Sequence, residues 1–120
     1  MSVLRKHVLL PKDIEKKLPS FEEDENVPFR QKVVYLKFFS PYNGWRWYVT
    51  SYDPKTKIFF GLVRGWEDEW GYFSLEELES VTINVGKHKI PAIERDLWFT
   101  PKTVGDLAKE GEIPERVIYS

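Results

Sequence analysis

Three runs of β-branched and aromatic residues, separated by clusters of turn-forming residues, constrain the fold of this chain more than any other feature. The runs cover residues 32–39, 45–52 and 58–63. The connections read Ser-Pro-Tyr-Asn-Gly and Asp-Pro-Lys-Thr-Lys, and both are typical of turns. The pattern predicts a three-stranded antiparallel meander. Because all three runs carry apolar residues at odd and even positions, we expect the sheet to be covered, at least partly, on both faces.

Shorter signals around the meander predict helices and loops. A proline at position 11, followed by apolar residues four apart, predicts a helix over residues 11–18. Four consecutive acidic residues at 22–25 are interpreted as a solvated loop, because they show no apolar periodicity. Residues 71–73 are expected to be a short extended segment. The following Ser-Leu-Glu-Glu has capping-box spacing and predicts a helix over residues 74–80.

The last third of the chain returns to strand-like patterns. Residues 81–85 and 93–99 are expected to be strands, with a turn at 86–87. A threonine cap and a later glycine predict a helix over residues 103–109, and the tail after Pro114 is interpreted as an edge strand or as disordered. The expected fold class is α+β: a single domain over the whole chain, with a central antiparallel sheet, the meander plus additional strands, and two or three short helices.

Composition excludes several kinds of function. The chain has 120 residues and no cysteine, so thiol chemistry and disulfides are excluded. Nothing in it resembles a nucleophile beside its base or a phosphate-cradling glycine loop, and we therefore predict no catalytic constellation, no cofactor and no metal site. The net charge of −1 argues against strong nonspecific nucleic-acid binding. Without a signal segment or an apolar span, we expect a cytoplasmic protein that does not contact a membrane.

Four sequence blocks, in this order, carry a family resemblance. They are Gly-Trp-Arg-Trp-Tyr at 44–48, Phe-Phe-Gly-Leu-Val at 59–63, Gly-Tyr-Phe-Ser-Leu-Glu-Glu-Leu-Glu at 71–79 and Ile-Glu-Arg-Asp-Leu-Trp-Phe at 93–99. The chain resembles an uncharacterised family of short proteins, a domain of unknown function whose members are often encoded on plasmids, prophages and integrating elements. The resemblance covers about residues 9–101 and leaves 102–120 as a C-terminal extension. It implies an accessory protein of mobile DNA and supplies no activity or cofactor.

The first candidate site is a pair of arginines. If the second turn is a five-residue loop, Tyr52 lies opposite Ile58, and counting back places Arg46 opposite Arg64, with Tyr48 on the same face. Like charges directly opposite each other are destabilising unless an anion lies between them. The pair is therefore interpreted either as half of an internal ion network, completed by the acidic residues that follow, or as an anion-binding site, and the network is favoured.

The second candidate site is the Glu94-Arg95-Asp96 segment. On a strand, the two carboxylates point to one face and the arginine to the other, an arrangement that general acid/base chemistry could use. Together with Glu69, Glu94 and Asp96 are the candidate residues of a small carboxylate-dependent hydrolase or nuclease. The structural alternative is that Arg95 is buried against Glu69 or Glu77 and holds its strand to the segment at 71–73.

The third candidate site is aromatic. Trp45 and Trp47 share a strand face and are expected to be core, whereas Trp66 and Trp70 are expected in an exposed acidic loop at 65–72. The favoured function is a noncatalytic binding or adaptor module that accompanies mobile DNA and recognises a protein partner through this loop and the neighbouring sheet edge. The predicted binding residues are Arg46, Tyr48, Arg64, Trp66, Glu69, Trp70, Tyr72, Glu94, Arg95 and Asp96.

An alternative function is nucleic-acid binding by a basic and aromatic sheet face. Exposed aromatic rings beside arginine can stack on bases, and the basic residues would contact phosphates. The residues that this hypothesis uses are Arg30, Lys32, Lys37, Arg46 and Arg64.

Overall fold

The computed structural model describes residues 7–119, which form an α+β domain of short helices around a central antiparallel sheet. In chain order the helices and strands are α1 (Lys12–Glu15), α2 (Phe21–Glu25), β1 (Val33–Val34), β2 (Leu36–Phe39), β3 (Arg46–Asp53), β4 (Ile58–Arg64), β5 (Asp68–Ser74), α3 (Leu75–Ser80), β6 (Thr82–Val85), β7 (His88–Pro91), β8 (Glu94–Arg95), β9 (Lys102–Thr103) and α4 (Val104–Lys109). Two 3-10 helices cover Phe29–Gln31 and Glu115–Tyr119.

The predicted meander forms the centre of a five-stranded sheet with the order β5-β4-β3-β2-β8. The first predicted strand is divided at Tyr35, because β1 leaves the sheet and pairs with β9 while β2 pairs with β3. The predicted turn at 86–87 joins β6 and β7 into a separate two-stranded hairpin. Consequently β5, seven residues long, forms one edge of the sheet, and β8, two residues long, forms the other.

The register between β3 and β4 confirms that Arg46 lies opposite Arg64. The predicted connection was nevertheless wrong, because Asp53 rather than Tyr52 lies opposite Ile58. A β-bulge between Val49 and Ser51 shifts the register by one residue and restores the pairing beyond it. The shorter turn and the bulge thus compensate for each other.

Both faces of the sheet are covered, as the apolar pattern predicted. On the face that we call the N-terminal face, the segment at 9–18, α3 and Ile93 pack on a core that includes Phe38, Trp47 and Phe59. On the opposite, C-terminal face, α4 and the 3-10 helix at Glu115–Tyr119 pack on a second core, whose buried residues are Val34, Tyr48, Leu62, Val104, Leu107, Ile113, Val117 and Ile118.

The helix at 103–109 and its threonine cap are confirmed, since the Thr103 hydroxyl accepts a hydrogen bond from the backbone amide of Asp106. The helix that begins after Ser74 is also confirmed. The interpretation of the tail after Pro114 was wrong. That segment is neither a strand nor disordered but a 3-10 helix, because Val117 and Ile118 are buried against the C-terminal face.

Two further predictions need correction. Residues 22–25 are not a loop, since they form most of α2, whose first turn is capped by the Ser20 side chain. The strand expected at 93–99 is limited to Glu94–Arg95, because the chain turns at Asp96, whose side chain accepts from the backbone amide of Trp98. No helix within residues 7–119 is long and apolar enough to cross a membrane.

Candidate functional site

The arginine at the end of β4 is bonded to a carboxylate and to a backbone carbonyl of the protein itself. The Arg64 side chain donates from Nε to Asp68 Oδ1 at 2.9 Å and from Nη1 to the Glu112 carbonyl oxygen at 2.8 Å. Asp68 also forms an ion pair with Arg116 of the C-terminal 3-10 helix. Arg64 is therefore part of an internal ion network, which is the interpretation that the sequence favoured.

A second ion cluster lies beside Arg64 on the C-terminal face. Lys37 Nζ lies 2.8 Å from Glu112 Oε2 and 3.7 Å from Asp96 Oδ2. Burial opposes ionisation of Glu112, but Lys37, with support from the Tyr48 hydroxyl, holds the pKa of this carboxyl below its ordinary value. The charged form of Glu112 is thus the one that the fold stabilises.

Arg46 and Tyr48 were both predicted as binding residues, but Tyr48 is not accessible. Tyr48 is fully buried in the second core, where burial and the neighbouring Glu112 carboxylate raise its pKa well above the ordinary value. Tyr48 therefore cannot contact a ligand. The Arg46 side chain is half-buried, and no side-chain hydrogen bond or close ion pair joins it to another described residue, although its charge helps to lower the pKa of Glu112.

Most of the basic residues proposed for nucleic-acid binding are neutralised within the protein. Arg30 pairs with Glu115 at 2.8 Å, and Lys32 is buried and pairs with Asp24 at 3.2 Å. Lys37 and Arg64 belong to the clusters described above. Of these five cations, Arg46 alone forms no close ion pair among residues 7–119, and its charge still acts on the Glu112 carboxylate. Such pairing weighs against a phosphate-binding face, which requires free positive charge.

The acidic residues proposed for hydrolysis lie at opposite edges of the sheet. Glu94 and Asp96 lie at β8 and just beyond it, whereas Glu69 lies on β5, with β2, β3 and β4 between them. The three carboxylates therefore do not converge on one site. Within the described residues, no three histidine, aspartate or glutamate side chains are grouped to hold a metal ion.

The expected partner of Arg95 was also wrong. Because β8 pairs with β2, Arg95 is remote from Glu69 and from the segment at 71–73. Its Nε donates to the Val8 carbonyl oxygen at 3.2 Å, and its backbone amide donates to His7 Nε2 at 3.3 Å. Arg95 therefore fastens the N-terminal segment along the β8 edge.

The predicted recognition loop is mostly an edge strand. The true loop consists of residues 65–67, and β5 begins at Asp68 because this residue pairs with Arg64 across the turn. Trp66 at the tip of the loop is 91% exposed, and its ring packs edge-on against Trp45 with centroids 6.2 Å apart. Trp66 is thus an exposed aromatic held in place by another aromatic.

Trp70 occupies a different environment from the one predicted. It is half-buried on the C-terminal face, where its Nε1 donates to the Val117 carbonyl oxygen at 2.8 Å and its ring lies against Phe29. Trp70 therefore anchors the C-terminal 3-10 helix to β5. Tyr72, two residues further along the same strand face, is 66% exposed.

The two faces of β5 present different surfaces along the same edge. On the N-terminal face, Glu69 and Trp66 line a shallow hollow together with Trp45 and Val63. On the C-terminal face, Tyr72 lies at the margin of a pocket of about 550 Å³. The β5 edge thus has a surface hollow on one side and a pocket on the other.

The pocket beside Tyr72 lies between α2 and the sheet and was missed by the sequence analysis. Its walls include the rings of Phe21, Phe29 and Phe60, and the buried Lys32 also lines it. The missed signal is the spacing of Ser20 and Glu23, the same capping-box pattern that predicted α3, and the structure shows both reciprocal hydrogen bonds. The pocket is lined by residues of α2, of the segment that follows it and of the sheet: Phe21, Glu22, Asp24, Glu25, Asn26, Val27, Pro28, Phe29, Lys32, Ser51, Phe60 and Tyr72.

Comparison with known proteins gives a family without an assigned activity. A family model described as Protein of unknown function (DUF2958) matches residues 9–113. This match extends beyond Pro101, where the resemblance seen in the sequence ends, and includes β9 and α4. No curated protein and no solved structure matches the chain.

Proposed function

For this chain, which belongs to the DUF2958 family of proteins of unknown function, we propose a noncatalytic role in binding a protein partner. The partner supplies an extended segment that pairs with the outer edge of β5 as an additional antiparallel or parallel strand. Strand addition of this kind uses backbone hydrogen bonds for affinity and the side chains on both faces for specificity.

The edge strand β5 is the observation that carries this proposal. It is seven residues long, and β4 is its neighbour on one side of the sheet. An edge strand presents alternate backbone N–H and C=O groups that lack a strand partner. The opposite edge, β8, is two residues long and is contacted by the segment at His7 and Val8. The β5 edge is therefore the better template for strand addition.

The side chains around β5 indicate the chemistry of the partner. Trp66, in the loop before β5, and Tyr72, on β5, are exposed aromatic residues, and such residues are enriched at binding hot spots. Glu67 and Glu69 are exposed between them. Because complementary charge favours association, we expect the partner segment to carry basic residues.

The resemblance to families encoded on plasmids, prophages and integrating elements gives this proposal a biological context. The partner would be a cytoplasmic protein of the mobile element or of its host. The proposal rests on the geometry of an edge strand and on exposed aromatic residues, and it includes no enzymatic activity.

Affinity capture from cells of the native host tests the proposal. The tagged wild-type protein, Trp66→Ala and Tyr72→Ala would be compared with Trp98→Ala as a matched control, because Trp98 is 93% exposed near the opposite sheet edge. We expect proteins retained by the wild type and by Trp98→Ala to be lost or strongly reduced with Trp66→Ala and Tyr72→Ala. Retention of every partner by both β5 variants would contradict this placement of the recognition surface.

A further inference from the structure

The pocket beneath α2 combines aromatic walls with an excess of negative charge. The Tyr72 ring packs against Phe60 and Phe21, with centroid separations of 5.1 Å and 5.2 Å, and Phe29 forms another part of the wall. The volume of about 550 Å³ lies within the roughly 300–1,000 Å³ typical of ligand pockets. The pocket can therefore enclose a side chain or a small molecule rather than a single water.

Charge selects among the ligands that such a pocket could accept. Three acidic residues line it, Glu22, Asp24 and Glu25, against one basic residue, Lys32. Lys32 and Asp24 are almost completely buried and satisfy each other, since Lys32 Nζ contacts the Asp24 carboxylate and also the Asp24 backbone carbonyl. The two exposed carboxylates, Glu22 and Glu25, are consequently left to act on a ligand.

Aromatic faces and carboxylates both attract organic cations. An ammonium or guanidinium group interacts favourably with the negative face of an aromatic ring, and cages of such rings recognise alkylated ammonium groups. An anionic ligand would face two unpaired carboxylates instead. The Lys32 ammonium already lies 5.4 Å from the centre of the Phe29 ring, which shows that this wall accommodates a positive charge.

We propose that this pocket binds the ammonium or guanidinium group of a lysine or arginine side chain from the segment that docks on β5. This inference rests on the proposed function and names the chemistry of its partner. The β5 edge and the pocket share Tyr72, which belongs to the edge strand and also lines the pocket. A strand added beside β5 directs alternate side chains to the C-terminal face, where the pocket lies.

The first experiment tests the pocket with small probes. Isotope-labelled protein would be titrated with n-butylammonium, n-butylguanidinium and, as the uncharged control, 1-butanol, at ~0.15 M salt to screen nonspecific attraction. We expect both cations to shift the NMR signals of residues 21–29 and Tyr72, and to bind roughly fivefold to tenfold more tightly than butanol. Equal affinity of cations and butanol, or shifts confined to other surfaces, would overturn the proposal.

Glu22 and Glu25 are exposed, so both can be replaced without disturbing the core. In Glu22→Gln/Glu25→Gln, cation affinity should fall severalfold, because the two free carboxylates of the pocket are neutralised. The matched control is Glu76→Gln/Glu79→Gln, which removes the same charge from the exposed surface of α3. An equal loss of affinity in both double variants would show that only the overall charge matters, and would overturn the assignment to the pocket.

The second experiment separates this inference from the proposed function. An acetylated peptide of alternating lysine and threonine, equal in length to β5, would be compared with one in which norleucine replaces lysine. Tighter binding of the lysine peptide, with shifts in β5 and the pocket, supports the inference. Binding of both peptides to β5 with equal affinity would overturn the inference and leave strand addition intact. Cation binding in the pocket without peptide binding to β5 would contradict the proposed function and support a cation site alone.

Discussion

At the scale of single residues, ion pairs on the C-terminal face join the tail of the chain to the sheet. Glu112 contributes twice, because its carboxylate pairs with Lys37 while its backbone carbonyl accepts from Arg64. Asp68 likewise joins Arg64 to Arg116. These contacts explain how two arginines can lie directly opposite each other in a stable sheet: the charge of Arg64 is neutralised by the chain itself.

We expect Glu112→Gln to destabilise the protein by about 1–3 kcal/mol at pH 7, because it removes a partly buried charged partner of Lys37. The free energy of unfolding would be measured by urea denaturation. Glu110→Gln is the matched control, since its ion pair with Lys102 is more exposed and should contribute less than about 1 kcal/mol. Equal effects of both substitutions would contradict the role given to Glu112.

The effect of Glu112→Gln on the unfolding free energy should depend on pH. Because the folded-state pKa of Glu112 is lowered, its stabilising effect is present above the unfolded-state pKa and is lost as the pH falls through the folded-state pKa. The difference in unfolding free energy between the wild type and Glu112→Gln should therefore shrink as the pH falls from about 7 to about 3. A difference that stays constant over this range would show that ionisation of Glu112 does not stabilise the fold.

The two tryptophans of the predicted loop should behave in opposite ways. We expect Trp70→Ala to reduce the unfolding free energy by about 2–4 kcal/mol, because it removes a packed ring and the hydrogen bond to Val117. Trp66→Ala should change it by less than about 1 kcal/mol, since that ring is exposed. Thermal or urea denaturation distinguishes the two. For the same reason Trp66, and not Trp70, is the suitable variant for binding experiments.

At the scale of elements, α2 illustrates why the pocket escaped sequence analysis. Its five residues are mostly acidic and lack apolar periodicity, so the helical signal lies in the cap alone. We expect Ser20→Ala to cost about 1 kcal/mol of stability, whereas Ser20→Asp should preserve the cap. Urea denaturation measures both. Equal loss of stability in the two variants would indicate that the Ser20 hydroxyl is not what caps α2.

The pairing of β3, β4 and β5 is tested by two glycines that lie opposite each other. A Cβ at Gly61 would overlap the backbone carbonyl of Tyr48, whereas at Gly71 it would meet open space. We expect Gly61→Ala to destabilise the protein by about 3 kcal/mol or more, and Gly71→Ala to be neutral within about 1 kcal/mol. Comparable unfolding free energies for the two variants would contradict this arrangement of strands.

The elements that the sequence predicted are those with strong local signals. The meander, β6 with the turn that follows it, and the capped helices α3 and α4 follow from turn residues, strand patterns and caps, whereas the strand β7 was not predicted. The bulge near Thr50 and the break at Tyr35 have no such signal, because they depend on which strand pairs with which. The tail after Pro114 also forms a helix only because the C-terminal face offers a surface for its apolar residues.

At the scale of the whole molecule, the sheet order determines which candidate residues can act together. It places β8 and β5 at opposite edges, which separates Glu94 from Glu69 and removes the site proposed for hydrolysis. Local sequence cannot reveal this separation, because it results from long-range pairing between β2 and β8. Trp66 was predicted as exposed from its charged surroundings, and it is exposed. The pocket could not be predicted from the sequence, because it forms only where α2 packs against the sheet.

Amide hydrogen exchange is a direct test of whether the β5 edge accepts an added strand. Exchange would be followed residue by residue by NMR, with and without the lysine–threonine peptide. We expect alternate amides of Asp68–Ser74 to become protected from exchange, since their outward N–H groups gain partners. Unchanged exchange in β5 at saturating peptide, or protection confined to β8, would contradict this expectation.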